Sequence, residues 1–121
     1  MKKTILFVDD EDVNLFVLSR RFEDDFNVLT CNSALQALSL IEEEKDAIHA
    51  LISDVKMPEM TGLQLIEKAK KILKDVPCFL LTGYDNHESI ERAIKENQVV
   101  QIFKKPFNYN EILDTLKSHI H

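Results

Sequence analysis

The chain has 121 residues, 45% of them hydrophobic, and its 15 basic and 21 acidic side chains give a formal net charge of −6. This length suits one domain with a hydrophobic core and leaves little room for a second. The acidic balance argues against direct nucleic-acid binding, which depends on basic side chains at phosphates. The apolar runs are too short for a membrane span, and the first ends at Asp9, too early for a signal peptide. We therefore expect a cytoplasmic protein.

Short apolar runs alternate with helical patterns along the whole chain. Continuous apolar character over five or six residues is typical of strands that are buried on both faces of a sheet. The five runs are Thr4–Val8, Phe26–Cys31, Ile48–Ser53, Pro77–Thr82 and Val99–Phe103. Strands and helices in alternation predict an α/β fold, in which helices cover both faces of a parallel sheet.

Three of the segments between and after these runs carry an apolar stripe at helical spacing. The stripe residues are Ala34, Leu35, Ala37, Leu38 and Ile41, then Leu65, Ile66, Ala69, Ile72 and Leu73, and last Tyr109, Ile112, Leu113, Leu116 and Ile120. Ser33 precedes the first stripe and is predicted to cap its helix. The stretch Asp85–Glu96 has fewer apolar positions, which fits either a surface of low local stability or a short helix with a solvated face.

Polar residues follow most of the predicted strands, at the edge of the sheet where ligands of this fold class bind. They are Asp9, Asp10, Glu11 and Asp12 after the first strand, Asp54 after the third, Thr82 and Gly83 after the fourth, and Lys104, Lys105 and Pro106 after the fifth. Each alone has an ordinary explanation as a helix-terminal, turn or solvated residue.

Their combination is what predicts a function. Crowded carboxylates raise one another's pKa unless a cation lies among them. The oxygen-rich set of Asp9, Asp10 and Asp54 suits Mg²⁺, which binds oxygen ligands and keeps several waters. The hydroxyl of Thr82 and the ammonium of Lys105 offer donors to a tetrahedral anion. The sequence therefore predicts phosphoryl transfer to an aspartate.

Four sequence strings resemble the receiver domain of bacterial two-component response regulators. They are ILFVDDE at residues 5–11, ISDVKMP at 52–58, LLTG at 80–83 and KPF at 105–107. Together they cover essentially the whole chain in the family's order. The resemblance implies one receiver domain over residues 1–121. It also implies a flavodoxin-like (βα)5 doubly wound fold, whose five-stranded parallel sheet has the order 2-1-3-4-5.

The resemblance also implies roles for the residues that would handle the phosphoryl group. Asp54 would accept this group, and Lys105 would contact its oxygens. Thr82 would move to hydrogen-bond it. Lys104 is a second candidate for the lysine, although the spacing to Pro106 favours Lys105. The Lys105–Pro106 peptide bond is expected to be cis.

The metal site is implied in the same way, with Mg²⁺ as the cofactor. Asp10 would bind the ion directly, and Asp9 would bind it mainly through water. A carboxylate oxygen of Asp54 and the backbone carbonyl of Lys56 would complete the protein ligands.

Two segments depart from the family pattern. Residues 60–62 read Met-Thr-Gly where Asp-Gly usually follows Met-Pro, so the glycine of the turn is kept. Ile102 stands where the family often has a Tyr or Phe that swings inward on activation, which puts an aromatic switch in doubt. Phe103 should face the opposite side of the sheet.

Two further positions bear on how long the phosphoryl group would survive. By resemblance, Lys56 and Tyr84 flank the path of the hydrolytic water, because they lie two residues beyond Asp54 and Thr82. Neither is an obvious residue for orienting water, which predicts a long-lived phosphoryl group if they do not simply point outward.

The resemblance implies partners of two kinds. A sensor histidine kinase or a histidine phosphotransfer protein would donate the phosphoryl group. A downstream target would bind the surface made by Asp85–Glu96, Val99–Phe103 and Asn108–His119. The protein would not be an enzyme beyond its own phosphorylation and dephosphorylation.

Three other functions compete with this interpretation. A phosphorylation-independent pseudo-receiver usually lacks one or more site residues, and none is missing here. An Mg²⁺-dependent aspartyl-phosphate hydrolase would have a second acid where Lys56 stands. A flavin or nucleotide binder would have a loop rich in Gly, Ser or Thr after the first strand, where this chain has acids.

Cys31 and Cys78 are predicted to stay reduced. In the strand order 2-1-3-4-5 they lie three strand spacings apart, which is roughly 14 Å. A disulfide requires α-carbons within about 7 Å of each other.

Overall fold

A computed structural model describes residues 2–83, 88–96 and 98–120, in which five strands alternate with five helices. The strands are β1 (Lys3–Val8), β2 (Phe26–Cys31), β3 (Ile48–Asp54), β4 (Cys78–Thr82) and β5 (Gln101–Lys104). The helices are α1 (Asp12–Phe22), α2 (Ala34–Glu44), α3 (Gly62–Ala69), α4 (Glu88–Lys95) and α5 (Tyr109–His119). All strand pairs are parallel, and the order β2-β1-β3-β4-β5 confirms the predicted sheet.

The sheet separates two hydrophobic clusters of different composition. One face is aliphatic and packs against α2, α3 and α4. The other face packs against α1 and α5 and holds most of the buried aromatic rings. Phe7 lies 5.4 Å from Phe22 between ring centroids, and Phe79 stacks on Phe103 at 5.7 Å. Because both faces are covered, the strands carry continuous apolar runs.

The third helix is shorter than its apolar stripe predicts. It ends at Ala69, so the prediction that Ile72 and Leu73 belong to the helix is wrong. Both amides still donate to the Ala69 carbonyl oxygen, at 2.9 and 2.7 Å, and Leu73 is buried. The apolar period therefore continues through a turn that packs on the core after the regular helix has ended.

The predicted strand starts also shift. Pro77 precedes β4, since proline has no N–H for the ladder, although its carbonyl still accepts from the Leu51 amide at 3.1 Å. Val99 precedes β5 because its amide donates back to Ala93 of α4 at 3.3 Å. At the other end, β3 includes Asp54 itself.

Several other predictions can be compared with the described residues. Ser33 caps α2, because its hydroxyl accepts from the Gln36 amide at 3.1 Å. Both cysteines are free and buried. The start of the stretch Asp85–Glu96 lies outside the described residues, and α4 begins at Glu88. In the part of the chain that the structure describes, no helix combines the length and apolar character needed to cross a membrane.

Candidate functional site

The acidic residues meet at the carboxyl edge of the sheet, as predicted from the strand ends. Asp9 and Asp10 follow β1, and Asp54 is the last residue of the neighbouring strand β3. Each offers a carboxylate oxygen, and these three oxygens lie within 4.8 Å of one another. Asp9 and Asp54 are buried, whereas Asp10 is exposed. A ligand that reaches this cluster from solvent would therefore meet Asp10 on the open side.

Lys105 joins the acids from the far side of β4. Its ammonium nitrogen lies 3.4 Å from Oδ1 of Asp54 and 3.7 Å from Oδ2 of Asp9. The backbone holds it there, because the Lys105 amide donates to the Thr82 carbonyl oxygen at 2.7 Å. The Lys105–Pro106 bond is cis, as expected. One ammonium thus lies between two buried carboxylates.

Asp9 is held by hydrogen bonds to both of its oxygens. Oδ1 accepts from the Glu11 amide at 2.9 Å, and Oδ2 accepts from Nδ2 of Asn14 at 3.2 Å. Sequence reasoning missed Asn14, although a polar side chain in the first turn of the helix after the acids was a usable signal. These bonds give both oxygens of Asp9 a partner, although only 1% of the residue is exposed.

The electrostatic state of Asp54 reflects its burial. Burial raises the pKa of the Asp54 carboxyl above its ordinary value, the Lys105 ammonium opposes that rise, and the Asp9 carboxylate adds to it. The net direction is upward, because burial outweighs the Lys105 ammonium. A cation bound at the carboxylates would favour their charged form.

The loop between β3 and α3 is shaped by an unusually close approach at Gly62. A Cβ built on this residue would lie 2.1 Å from the Asp54 carbonyl oxygen, a distance that real side chains do not tolerate. The Gly62 amide also donates to the Val55 carbonyl oxygen at 2.8 Å. Glycine is therefore required here by contact with the backbone of Asp54.

The left-handed residue of this loop is Glu59, with φ of 69°. The Met60 amide donates to the Pro58 carbonyl oxygen at 2.7 Å, which closes a three-residue turn around Glu59. Sequence reasoning did not single out Glu59, because a glutamate gives no signal for positive φ.

An open cleft of about 430 Å³ lies over the acids. Its lining residues are Asp10, Glu11, Asp54, Lys56, Met57 and Pro58. The Asp54 carboxylate at the end of β3 lines this cleft, so small solutes can reach it from solvent.

The remaining predicted site residues lie at the same edge or beside it. Thr82 ends β4 and is buried, and Lys56 is exposed in the loop after β3. Gly83 is exposed, and a Cβ there would meet no described atom within 4 Å. Tyr84, named for its effect on phosphoryl lifetime, lies outside the described residues.

The structure confirms that Ile102 and Phe103 face opposite sides of the sheet. Ile102 is half-buried against the aliphatic cluster, while Phe103 is buried in the aromatic one. The side chain on the aliphatic face at this point of β5 is therefore a branched aliphatic one and not a ring.

Comparison with known proteins places this geometry in a family. The chain is 30% identical to the hydrogenase transcriptional regulatory protein HoxA of Bradyrhizobium diazoefficiens, over 97% of this chain and 24% of that protein. It is 27% identical to sporulation initiation phosphotransferase F of Bacillus subtilis, over 99% of this chain and 95% of that protein. The chain thus spans about a quarter of the first relative and nearly all of the second.

Solved structures agree with these relatives. The chemotaxis protein CheY4 of Vibrio cholerae superposes with a TM-score of 0.87 at 25% identity, over 99% of this chain and 100% of that one. The sequence profile described as the response regulator receiver domain matches residues 5–117. The chain belongs to the family of response regulator receiver domains.

Proposed function

We propose that the domain, taken as residues 1–121, accepts a phosphoryl group on Asp54 and passes a signal by changing a binding surface. The observation that carries the proposal is the surroundings of the Asp54 carboxylate. It ends β3 below an open cleft, shares an oxygen cluster with Asp9 and Asp10, and lies 3.4 Å from the Lys105 ammonium.

The chemistry needs a nucleophile and neutralisation of charge. A carboxylate oxygen of Asp54 attacks the phosphorus of a phosphohistidine. The P–N bond breaks, the imidazole leaves with the electron pair, and an acyl phosphate remains on Asp54. Lys105, whose ammonium lies 3.4 Å from Asp54, would contact the phosphoryl oxygens, and Thr82 at the end of β4 would move to hydrogen-bond the group. The protein contributes positioning and charge rather than further covalent chemistry.

The donor set supports Mg²⁺ as the cofactor. Three carboxylate oxygens within 4.8 Å of one another suit a hard cation that prefers oxygen ligands. Asp10 would bind the ion directly from the exposed side, Asp9 mainly through water, and the Lys56 carbonyl oxygen would add a ligand. When bound, Mg²⁺ would neutralise the charge shared by the carboxylates and the phosphoryl oxygens.

Receiver domains of response regulators interact with kinases and downstream effectors. For this chain we propose a sensor histidine kinase or a histidine phosphotransfer protein as donor, in the cytoplasm. The output surface would be the predicted one, Asp85–Glu96, Val99–Phe103 and Asn108–His119, which includes α4, α5 and all of β5 except Lys104. The domain would catalyse only its own phosphorylation and dephosphorylation.

The test is phosphorylation by acetyl phosphate with Mg²⁺, followed by intact-mass measurement. The wild-type chain should gain one phosphoryl mass, and Asp54→Asn should abolish the gain. Asp114→Asn is the matched control, because Asp114 is an exposed aspartate on α5, away from the cluster. A phosphoryl mass that persists in Asp54→Asn would refute the assignment.

The same experiment separates the competing functions. A pseudo-receiver would gain no mass under any condition. A hydrolase would release phosphate from added phosphoesters with multiple turnovers, whereas the proposed domain would carry one phosphoryl group at a time and leave added phosphoesters intact. Lys56 stands where such a hydrolase would have its second acid, which favours the phosphoryl-accepting domain over the hydrolase.

A further inference from the structure

Asn14 is a half-buried residue of α1 that no step of the proposed chemistry uses. Its amide nitrogen donates to Oδ2 of Asp9 at 3.2 Å. The other oxygen of Asp9 is taken by the Glu11 amide. Both hydrogen bonds come from the β1–α1 junction, so the orientation of the buried Asp9 carboxylate depends on them.

The oxygen that Asn14 binds is also the oxygen that faces Lys105. The Lys105 ammonium lies 3.7 Å from this oxygen and 3.4 Å from Oδ1 of Asp54, so it leans toward Asp54. A carboxylate oxygen that already accepts a hydrogen bond attracts the ammonium less strongly, because the donor compensates part of its negative charge. Asn14 thus bears on which of two carboxylates the lysine contacts.

We propose that Asn14 is a positioning residue that satisfies Oδ2 of Asp9 and thereby leaves the Lys105 ammonium directed at Asp54. This inference rests on the proposed function of Asp54. Without the Asn14 amide, Oδ2 of Asp9 is a buried oxygen lacking that hydrogen bond, and it draws Lys105 toward itself. The ammonium then contributes less to the incoming phosphoryl group, and phosphorylation slows.

The chain supplies a matched control for the test. Nδ2 of Asn32 donates to Oδ1 of Asp12 at 3.3 Å, which is the same type of bond at nearly the same length. That pair is exposed and lies outside the carboxylate cluster. Asn32→Leu removes an equivalent hydrogen bond that does not involve Asp9.

The test variant is Asn14→Leu, which removes the donor and keeps the side-chain size. Asn14 lines a cleft of about 330 Å³ beside α5, so a leucine has room there. With acetyl phosphate and saturating Mg²⁺, we expect the phosphorylation rate constant to fall about tenfold, as misplacement of a charged group can cause. Asn32→Leu should keep the wild-type rate. Equal rates for Asn14→Leu and wild type would overturn the proposal.

A double-mutant cycle separates positioning from a general effect on α1. If Asn14 acts through Asp9, then Asn14→Leu should have no further effect on the rate in an Asp9→Asn background. A merely structural role would reduce the rate in both backgrounds, and that result would refute the inference.

A second readout does not require phosphorylation. The ¹⁵N signal of the Lys105 ammonium should shift in Asn14→Leu and should not shift in Asn32→Leu. An unshifted signal in Asn14→Leu would count against the inference. A protein that shows the shift but takes up no phosphoryl group would refute the proposed function while supporting the role of Asn14.

Discussion

The two loops that deliver the acids are built in different ways. The β3–α3 loop is fixed by its backbone: the Gly62 amide binds the Val55 carbonyl, and the Val55 amide binds the Leu81 carbonyl at 3.0 Å. The β1–α1 junction also uses a side chain: besides the backbone bond from the Asp9 amide to the Cys31 carbonyl at 3.2 Å, the Asp9 carboxylate accepts from the Glu11 amide and from Asn14.

The helices that follow these two loops also begin in different ways. Helix α3 begins with a reciprocal capping box between Thr61 and Gln64. Helix α1 begins at Asp12, and its N-cap residue Glu11 makes no side-chain capping bond; the Asp9 carboxylate accepts from the Glu11 amide instead. The β3–α3 loop after Asp54 therefore has a frame of backbone bonds, whereas the Asp9 carboxylate is itself part of the frame of its junction.

The largest effect should come from breaking the backbone frame. Gly62→Ala places a Cβ against the Asp54 carbonyl, so the loop must move, and we expect a loss of about 3 kcal/mol in the free energy of unfolding. Gly83→Ala is the control, since a Cβ there meets no described atom within 4 Å. Urea denaturation of both variants provides the comparison, and equal losses would contradict this account of Gly62.

The next effect concerns the charge that the frame holds. Because the folded state raises the pKa of Asp54, it binds the proton more tightly than the unfolded chain does, and stability falls as pH rises above about 4. Asp54→Asn should therefore raise the Tm of the metal-free protein by a few degrees at pH 7. The gain should vanish as pH falls below about 4.

Thermal scans across this pH range, with and without Mg²⁺, would check that sign. Saturating Mg²⁺ should narrow the difference at pH 7, because the cation stabilises only the chain that keeps the carboxylate. If Asp54→Asn is less stable than wild type at pH 7 without Mg²⁺, then Lys105 stabilises the charged Asp54 carboxylate by more than burial destabilises it.

A smaller effect should come from the helix starts. Thr61→Ala removes one half of the capping box of α3, and Ser33→Ala removes the simple cap of α2. Each should cost about 1 kcal/mol, because the Gln64 or the Gln36 amide loses its side-chain acceptor. Thr61→Ala should cost the less of the two, because the Thr61 backbone amide keeps its bond to Oε1 of Gln64. Denaturant midpoints would rank the two variants, and a larger loss in Thr61→Ala would show that the second bond of the capping box does not hold the helix start by itself.

The smallest effect should come from the left-handed residue. Glu59→Gly removes the conformational penalty at φ of 69° but increases the freedom of the unfolded chain, so we expect a gain of only about 0.5 kcal/mol. Glu67→Gly on the exposed face of α3 should instead destabilise by about 1 kcal/mol. A loss in both variants would mean that the Glu59 side chain is needed in the loop.

The sequence was sufficient for the features that follow from chain periodicity. Continuous apolar runs predict the strands, and the rule that parallel strands end at one edge predicts that Asp9, Asp10 and Asp54 lie together. The apolar period wrongly predicts that α3 extends to Leu73, because burial continues after the regular helix has ended at Ala69. It also failed at Val99, whose amide bonds to the preceding helix rather than to a strand.

The details of the loops could not be predicted for a different reason. The bond from Asn14 to Asp9 depends on where α1 starts relative to β1, and the contact of Gly62 depends on how far the loop folds back on Asp54. Both are distances set by three-dimensional closure of a loop, and neither leaves a periodic trace in the residues.

The strands that carry the site residues are expected to differ in local stability, because they occupy different positions in the sheet. Asp54 ends β3, which is hydrogen-bonded to strands on both sides, whereas Lys105 follows β5, a four-residue strand at the edge. Local opening of a protein begins where few hydrogen bonds must break. Amide protons of β5 should therefore exchange with solvent before those of β3. Transient opening of β5 would move Lys105 away from the site while Asp54 stays in place.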